Sequence, residues 1–198
     1  MPEYILKSTL ECIENGIMGE YGFMPDQYPE LLSFIQNTCN PIIKAISIVE
    51  GEEDFWPTFW GSTVLDSTNE KSCRIFIFQK FESVGIMRDV LKTHDARYQI
   101  RIGTTKKIPL NPAKTGLDCI LFYRQIGQTK KILRFEDTPS FVGFYKREGL
   151  RKTVSLSSKK EHIKEYLTTF NVIYNSTHDL SSLRDKTTEG IAKFLFEQ

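Results

Sequence analysis

The chain has 198 residues, of which 40% are hydrophobic and 26% charged. These are values of an ordinary folded domain with one core, and they exclude a disordered or fibrous chain. Net charge is only +1, but residues 1–60 carry two lysines against ten acids (net −8), whereas residues 101–160 carry fourteen cations against four acids (net +10). Such polarity points to a charged partner.

The start, MPEYILKSTLECIENG, has neither a basic region nor a continuous apolar run, so it does not read as a secretory signal. No apolar stretch approaches the roughly 20 residues that a bilayer requires. An intracellular chain with no membrane partner is the expectation. Cys12, Cys39, Cys73 and Cys119 lack metal-ligand spacing and read as reduced thiols. No metal and no cofactor is expected.

Leu6, Leu10, Ile13 and Ile17 recur at helical spacing and predict a helix over 3–16. Pro29 opens a second helix that presents Leu31, Phe34 and Ile35 and stops before Pro41. Residues 42–49 are β-branched and read as a buried strand. Residues 62–66 and 73–81 read as a hairpin, with Arg74-Ile75-Phe76-Ile77-Phe78 as a central strand. Residues 83–93 fit a helix. From Arg97 the period becomes two, with Tyr98, Ile100 and Ile102 inward and Arg97, Gln99 and Arg101 outward.

Strands are expected at 117–125, 131–136, 140–147 and 152–157, with turns at 126–129 and 148–149. Short connections between them imply an antiparallel meander. Ser158 and Glu161 have capping-box spacing, ahead of the stripe Ile163, Leu167, Phe170 and Tyr174. A last helix at about 180–196 would bury Leu180, Leu183, Ile191 and Phe194, with Asp179 as its cap. The fold class is therefore α+β: a mostly antiparallel, mixed sheet of about seven to eight strands with helices at both ends. A single domain over 1–198 is expected, with a helical start at 1–40, a sheet-forming middle at 42–157 and C-terminal helices at 158–197.

Cations on strands and turns of the meander supply what phosphate recognition needs, because clustered charges displace condensed counterions. The candidates are Lys106, Lys107, Arg124, Lys130, Lys131, Arg134, Lys146, Arg147, Arg151 and Lys152. Tyr123 and Tyr145 stand beside them as candidates for stacking on bases. The leading reading is a binding module for nucleic acid, RNA included, or another phosphorylated ligand.

A second reading is a protein-interaction subunit docking through the acidic and aromatic segment 50–61, with Trp56 and Trp60 as anchors. No catalytic residue is assigned. His94, His162 and His178 have no motif linking them to a nucleophile, and His162 reads as a surface residue. Asp66 at the end of one strand and Lys80 late on the next give a third reading. With the order helix, three strands, helix, strand over residues 29–103, they resemble the core of the PD-(D/E)xK nuclease superfamily. That resemblance implies a metal held by Asp66 and an acid at position 78, where this chain has Phe78. Glu82 and the acids at 50–54 are the remaining carboxylates of that region.

Overall fold

The structure is a computed structural model that describes residue 11 and residues 42–49, 71–86, 99–108, 119–148 and 151–197. The helices expected at 3–16 and 29–40, the segment 50–66 with Trp56, Trp60 and Asp66, and residues 87–98 with His94 lie outside the described residues.

The strands follow the chain as β1 (Ile42–Val49), β2 (Cys73–Phe78), β3 (Gln99–Thr104), β4 (Cys119–Tyr123), β5 (Gln125–Thr129), β6 (Ile132–Phe135), β7 (Phe141–Glu148) and β8 (Arg151–Ser157). Then come helix α1 (Lys160–Asn175), the short strand β9 (His178–Asp179) and helix α2 (Thr188–Phe196). Among the described residues, seven strands form one mixed sheet in the order β8-β7-β4-β1-β2-β3-β9, while β5 and β6 pair with each other alone. The sheet is mixed because β1, β2 and β3 run parallel and the pairs β1–β4, β4–β7, β7–β8 and β3–β9 run antiparallel.

Every residue of β2 and β4 is buried, as expected of strands covered on both faces. On one face Ile42, Ile46, Ile75, Ile77, Leu121 and Phe144 pack under α1, which contributes Ile163, Phe170 and Ile173. On the other face Phe76, Phe78, Ile100 and Ile102 pack against Leu180, Leu183, Ile191 and Leu195. The apolar stripes expected at the C-terminus are thus the surfaces that seal the two sides of the sheet.

Several local expectations are corrected. The edges of β2 are taken by β1 and β3, so the hairpin expected between 62–66 and 73–81 has no free edge of β2 to pair with. Of the helix expected at 83–93, a 3-10 turn at Glu82–Ile86 falls among the described residues. Residues 125–129 form a strand rather than a turn, and the reversal falls on Lys130 and Lys131. The last helix is divided into a 3-10 turn at Leu180–Leu183, capped by Asp179 through the backbone N–H of Ser181, and α2.

The capping box does not form. Lys159 is the N-cap of α1 without a side-chain bond, and Ser158 Oγ has no hydrogen-bond partner among the described residues. Ser157, one residue earlier, accepts from the backbone N–H of Lys159 at 3.2 Å. It also lies 3.0 Å from His162 Nδ1. His162 is therefore half-buried, edge-on to Phe144 with ring centroids 5.9 Å apart, and not a free surface histidine.

Arg101, expected on a solvent face, is covered. Its guanidinium stacks 4.1 Å from the centroid of Tyr174 and donates to Thr177 Oγ1 and to the Thr177 carbonyl. The pairing of β9 with β3 places these partners over it.

Candidate phosphate-binding cleft

The β5–β6 hairpin is inserted between β4 and β7 and leaves the sheet as a separate ribbon. Its neck is closed by the backbone N–H of Glu136 donating to the Arg124 carbonyl at 3.0 Å. The Arg124 guanidinium donates to Glu136 Oε1, also at 3.0 Å, and Ser140 Oγ donates to Oε2. Arg124 thus holds the base of the ribbon.

Burial along β6 alternates, with Ile132 and Arg134 exposed and Leu133 and Phe135 half-buried. Phe135 packs on the core that lies under α1. The ribbon consequently overhangs the end of the sheet where β1 begins and β4 ends, a register fixed by the pairing of Ile42 with Tyr123.

Between ribbon and sheet lies an open cleft of about 520 Å³. Lys44 from β1, Lys71 from the turn before β2 and Arg134 from β6 line it, together with Tyr123, Phe135, Glu136 and Asp137. The Lys44 ammonium lies 5.0 Å from the centroid of Tyr123 and 5.6 Å from that of Phe170. Ring faces attract cations, so the two rings hold the Lys44 head in place. Burial pushes the Tyr123 hydroxyl up to about 12, so it stays a neutral donor at physiological pH. Of the two acids, Glu136 is already matched by Arg124.

At the ribbon tip, Lys130 and Lys131 are exposed and form the two-residue loop between Thr129 and Ile132. Both have positive φ, 49° and 68°, the signature of a type I′ turn that Asn and Gly adopt more readily than lysine.

The structure distributes the sequence candidates over two ends of the sheet. Lys130, Lys131 and Arg134 share the ribbon, and Arg124 its neck. Lys106 and Lys107 lie in the turn after β3, at the opposite end from the cleft. There Lys106 lies 5.7 Å from the Phe196 ring centroid. His178 sits below its ordinary value, chiefly from burial and then from the charges of Lys107 and Arg101.

Lys146, Arg147, Arg151 and Lys152 also lie beyond the opposite end, since β7 runs past the pairing of Cys119 with Phe144; Arg147 pairs with Lys152 and Tyr145 with Val154. Tyr123 is 5% exposed with a cation over its ring, so it is not a free stacking platform. The antiparallel pairing with β1 and the cover of α1 account for that burial.

Lys44 and Lys71 were not among the sequence candidates, because both precede the basic segment. The available signal was Lys44 itself, the one charge in the apolar run IIKAISIV.

Nothing among the described residues supports a nuclease active site. Phe78 is fully buried among apolar side chains, and the hairpin that would carry Asp66 is not made by β2. Among the described residues, no group of three or more His, Cys, Asp or Glu could hold a metal ion. The described helices include none long and apolar enough to cross a membrane.

No protein-family model matches the chain, and no curated protein sequence does. Among solved structures the chain is similar to TrmBL2, an archaeal chromatin protein whose structure shows a novel mode of DNA binding. The TM-score is 0.45 at 9% sequence identity, over 89% of this chain and 60% of that one.

Proposed function

We propose that the chain is a binding module for nucleic acid or another phosphorylated ligand, with the cleft beneath the β5–β6 ribbon as its central contact. The observation that carries this reading is convergence: Lys44, Lys71 and Arg134, far apart in sequence, line one concave surface. Cations on a concave wall focus their field and raise the local concentration of anions. Its volume of about 520 Å³ is within the range of ligand sites, about 300–1,000 Å³. Lys130 and Lys131 extend the same charge to the tip of the ribbon. Lys106, Lys107, Lys146, Arg147, Arg151 and Lys152 are outlying contacts in this reading, able to meet a long polyanion at the other end of the sheet.

One sheet runs through most of the described strands, and both C-terminal helices pack on it, which supports a single domain. The buried Cys73 and Cys119, neither in a disulfide, fit an intracellular setting.

The test is a fluorescence anisotropy titration of a labelled oligonucleotide at about 50 mM and about 200 mM salt. Binding that weakens steeply with salt is expected, as is its loss in the double variant Lys71→Glu/Arg134→Glu. Absence of binding at the lower salt, or an unchanged affinity in the variant, overturns the proposal.

A further inference from the structure

Resting on that reading, we infer that the β5–β6 ribbon is a duplex-groove element and that the polyanion it takes is B-form DNA. Three features of the ribbon carry the inference. It leaves the sheet and, among the described residues, pairs its two strands only with each other. Its tip is a lysine pair. It also carries two of the exposed large apolar side chains among the described residues, Ile126 at 56% and Ile132 at 65%.

Two paired strands lie about 4.8 Å apart, and such a ribbon fits the major groove of B-DNA, which is about 12 Å wide. In A-form RNA that groove is too deep and narrow for side chains to read. A single strand is gripped mainly by stacking on aromatic rings, whereas Ile126 and Ile132 are aliphatic. Aliphatic groups instead meet the thymine methyl, which projects into the major groove.

The alternation on β6 places Arg134 on the same side of the ribbon as Ile132. In this pose Arg134 reaches a phosphate or a guanine edge. Lys130 and Lys131 straddle the tip and meet phosphates. Lys44 and Lys71, which line the cleft together with Ile132 and Arg134, face the flanking backbone.

The turn allows a test that leaves the ribbon intact. Replacing Lys130 by Asn and Lys131 by Gly removes both charges and installs the residues that a type I′ turn prefers. Anisotropy is read with an AT-rich DNA duplex of about 20 base pairs, the RNA duplex of matching sequence, and the same DNA duplex with uracil in place of thymine. The DNA duplex is expected to bind about tenfold or more tightly than the RNA duplex. K130N/K131G is expected to weaken DNA binding about tenfold and to lower the slope of log affinity against log salt by about two.

Removal of the thymine methyl is expected to cost about threefold in the native chain and nothing in Ile132→Ser. Equal affinity for the DNA and RNA duplexes, or an unchanged affinity in K130N/K131G, overturns the ribbon assignment. If those results come with retained, salt-sensitive binding of other polyanions, the binding-module reading stands. If no polyanion binds, both fall.

Discussion

The Lys44 ammonium sits between two rings, 5.0 Å from the centroid of Tyr123 and 5.6 Å from that of Phe170, and its residue lines the cleft. Its stem therefore contributes packing and its head contributes charge, and the two are separable. Lys44→Met keeps an unbranched apolar stem between the rings, so the unfolding free energy should change by less than about 1.5 kcal/mol. Affinity for a polyanion should nonetheless fall, with the salt slope reduced by about 0.9. Urea unfolding and anisotropy on the same preparation check both halves. A large loss of stability, or an unchanged slope, removes Lys44 from the site.

Glu136 makes the opposite prediction. It lines the cleft while accepting from Arg124 and Ser140. The Arg124 and Glu136 side chains are 43% and 27% exposed, so solvent screens the pair, and its loss should cost no more than about 1 kcal/mol. Removing the carboxylate charge makes the cleft more positive. Glu136→Gln should therefore bind an oligonucleotide severalfold more tightly while melting slightly earlier. Weaker binding in this variant would show that Glu136 acts by holding the ribbon in place and that the cleft does not bind through charge.

Much of the sheet is legible in the sequence because its strands are short apolar runs. IIKAISIV, CRIFIF and CILFY are the buried strands β1, β2 and β4, and the stripe Ile163–Phe170 faces the core as its period requires. Strand order is not legible, since a run of isoleucines carries no record of its neighbour. The parallel pairing of β1 with β2 and the antiparallel pairing of β1 with β4 bring Lys44, Lys71 and Tyr123 together. Charge counting along the chain assigned two of these three to other segments.

β5 escaped for a different reason. QIGQT is half-buried to exposed throughout, so it has no apolar face to set a period of two. The reversal beside it is made by two lysines, residues that carry no turn signature.

Gly103 on β3 faces Thr177 so closely that a Cβ would lie 2.7 Å from Thr177 Cγ2. Thr177 cannot easily retreat, because its Oγ1 accepts from Arg101 Nε at 3.1 Å and donates to the Tyr174 carbonyl at 2.9 Å. Gly103→Ala should thus destabilise the domain by about 1–3 kcal/mol through overpacking. Thr177→Ser removes the offending methyl and keeps the hydroxyl. Added to Gly103→Ala, it should restore most of the loss, a coupling that a double-mutant cycle in urea measures. Strict additivity of the two substitutions would contradict the close approach.

Burial pushes the Cys73 thiol up to about 12, against the smaller opposing effect of Arg101 and Lys44. The nucleophilic thiolate is then scarce at neutral pH. In the folded protein Cys73 should resist iodoacetamide at pH 7.5 for as long as the core stays closed, and react once urea opens it. Mass mapping of the alkylated peptide reads this directly. Rapid labelling in native buffer would mean that β2 is accessible and its packing misassigned.

Asp179 ties the C-terminal turn to the sheet edge, and its titration should be visible in stability. Burial acts to raise its pKa, yet the net shift is downward. Its Oδ2 accepts from Gln99 Nε2 at 2.7 Å, and its Oδ1 accepts from the Ser181 backbone N–H at 2.9 Å and from Ser181 Oγ at 2.6 Å. Arg101, paired with it across β3 and β9, adds a favourable charge. A carboxyl that titrates lower in the folded chain binds fewer protons there than in the unfolded chain. Its stabilisation is complete above the ordinary value of 3.8 and is lost as pH falls through the lowered native value. Urea midpoints taken downwards from about pH 5 should therefore drop more steeply in the native chain than in Asp179→Asn, which carries no titrating charge at that position. Parallel pH profiles would mean that the four contacts do not favour the ionised form.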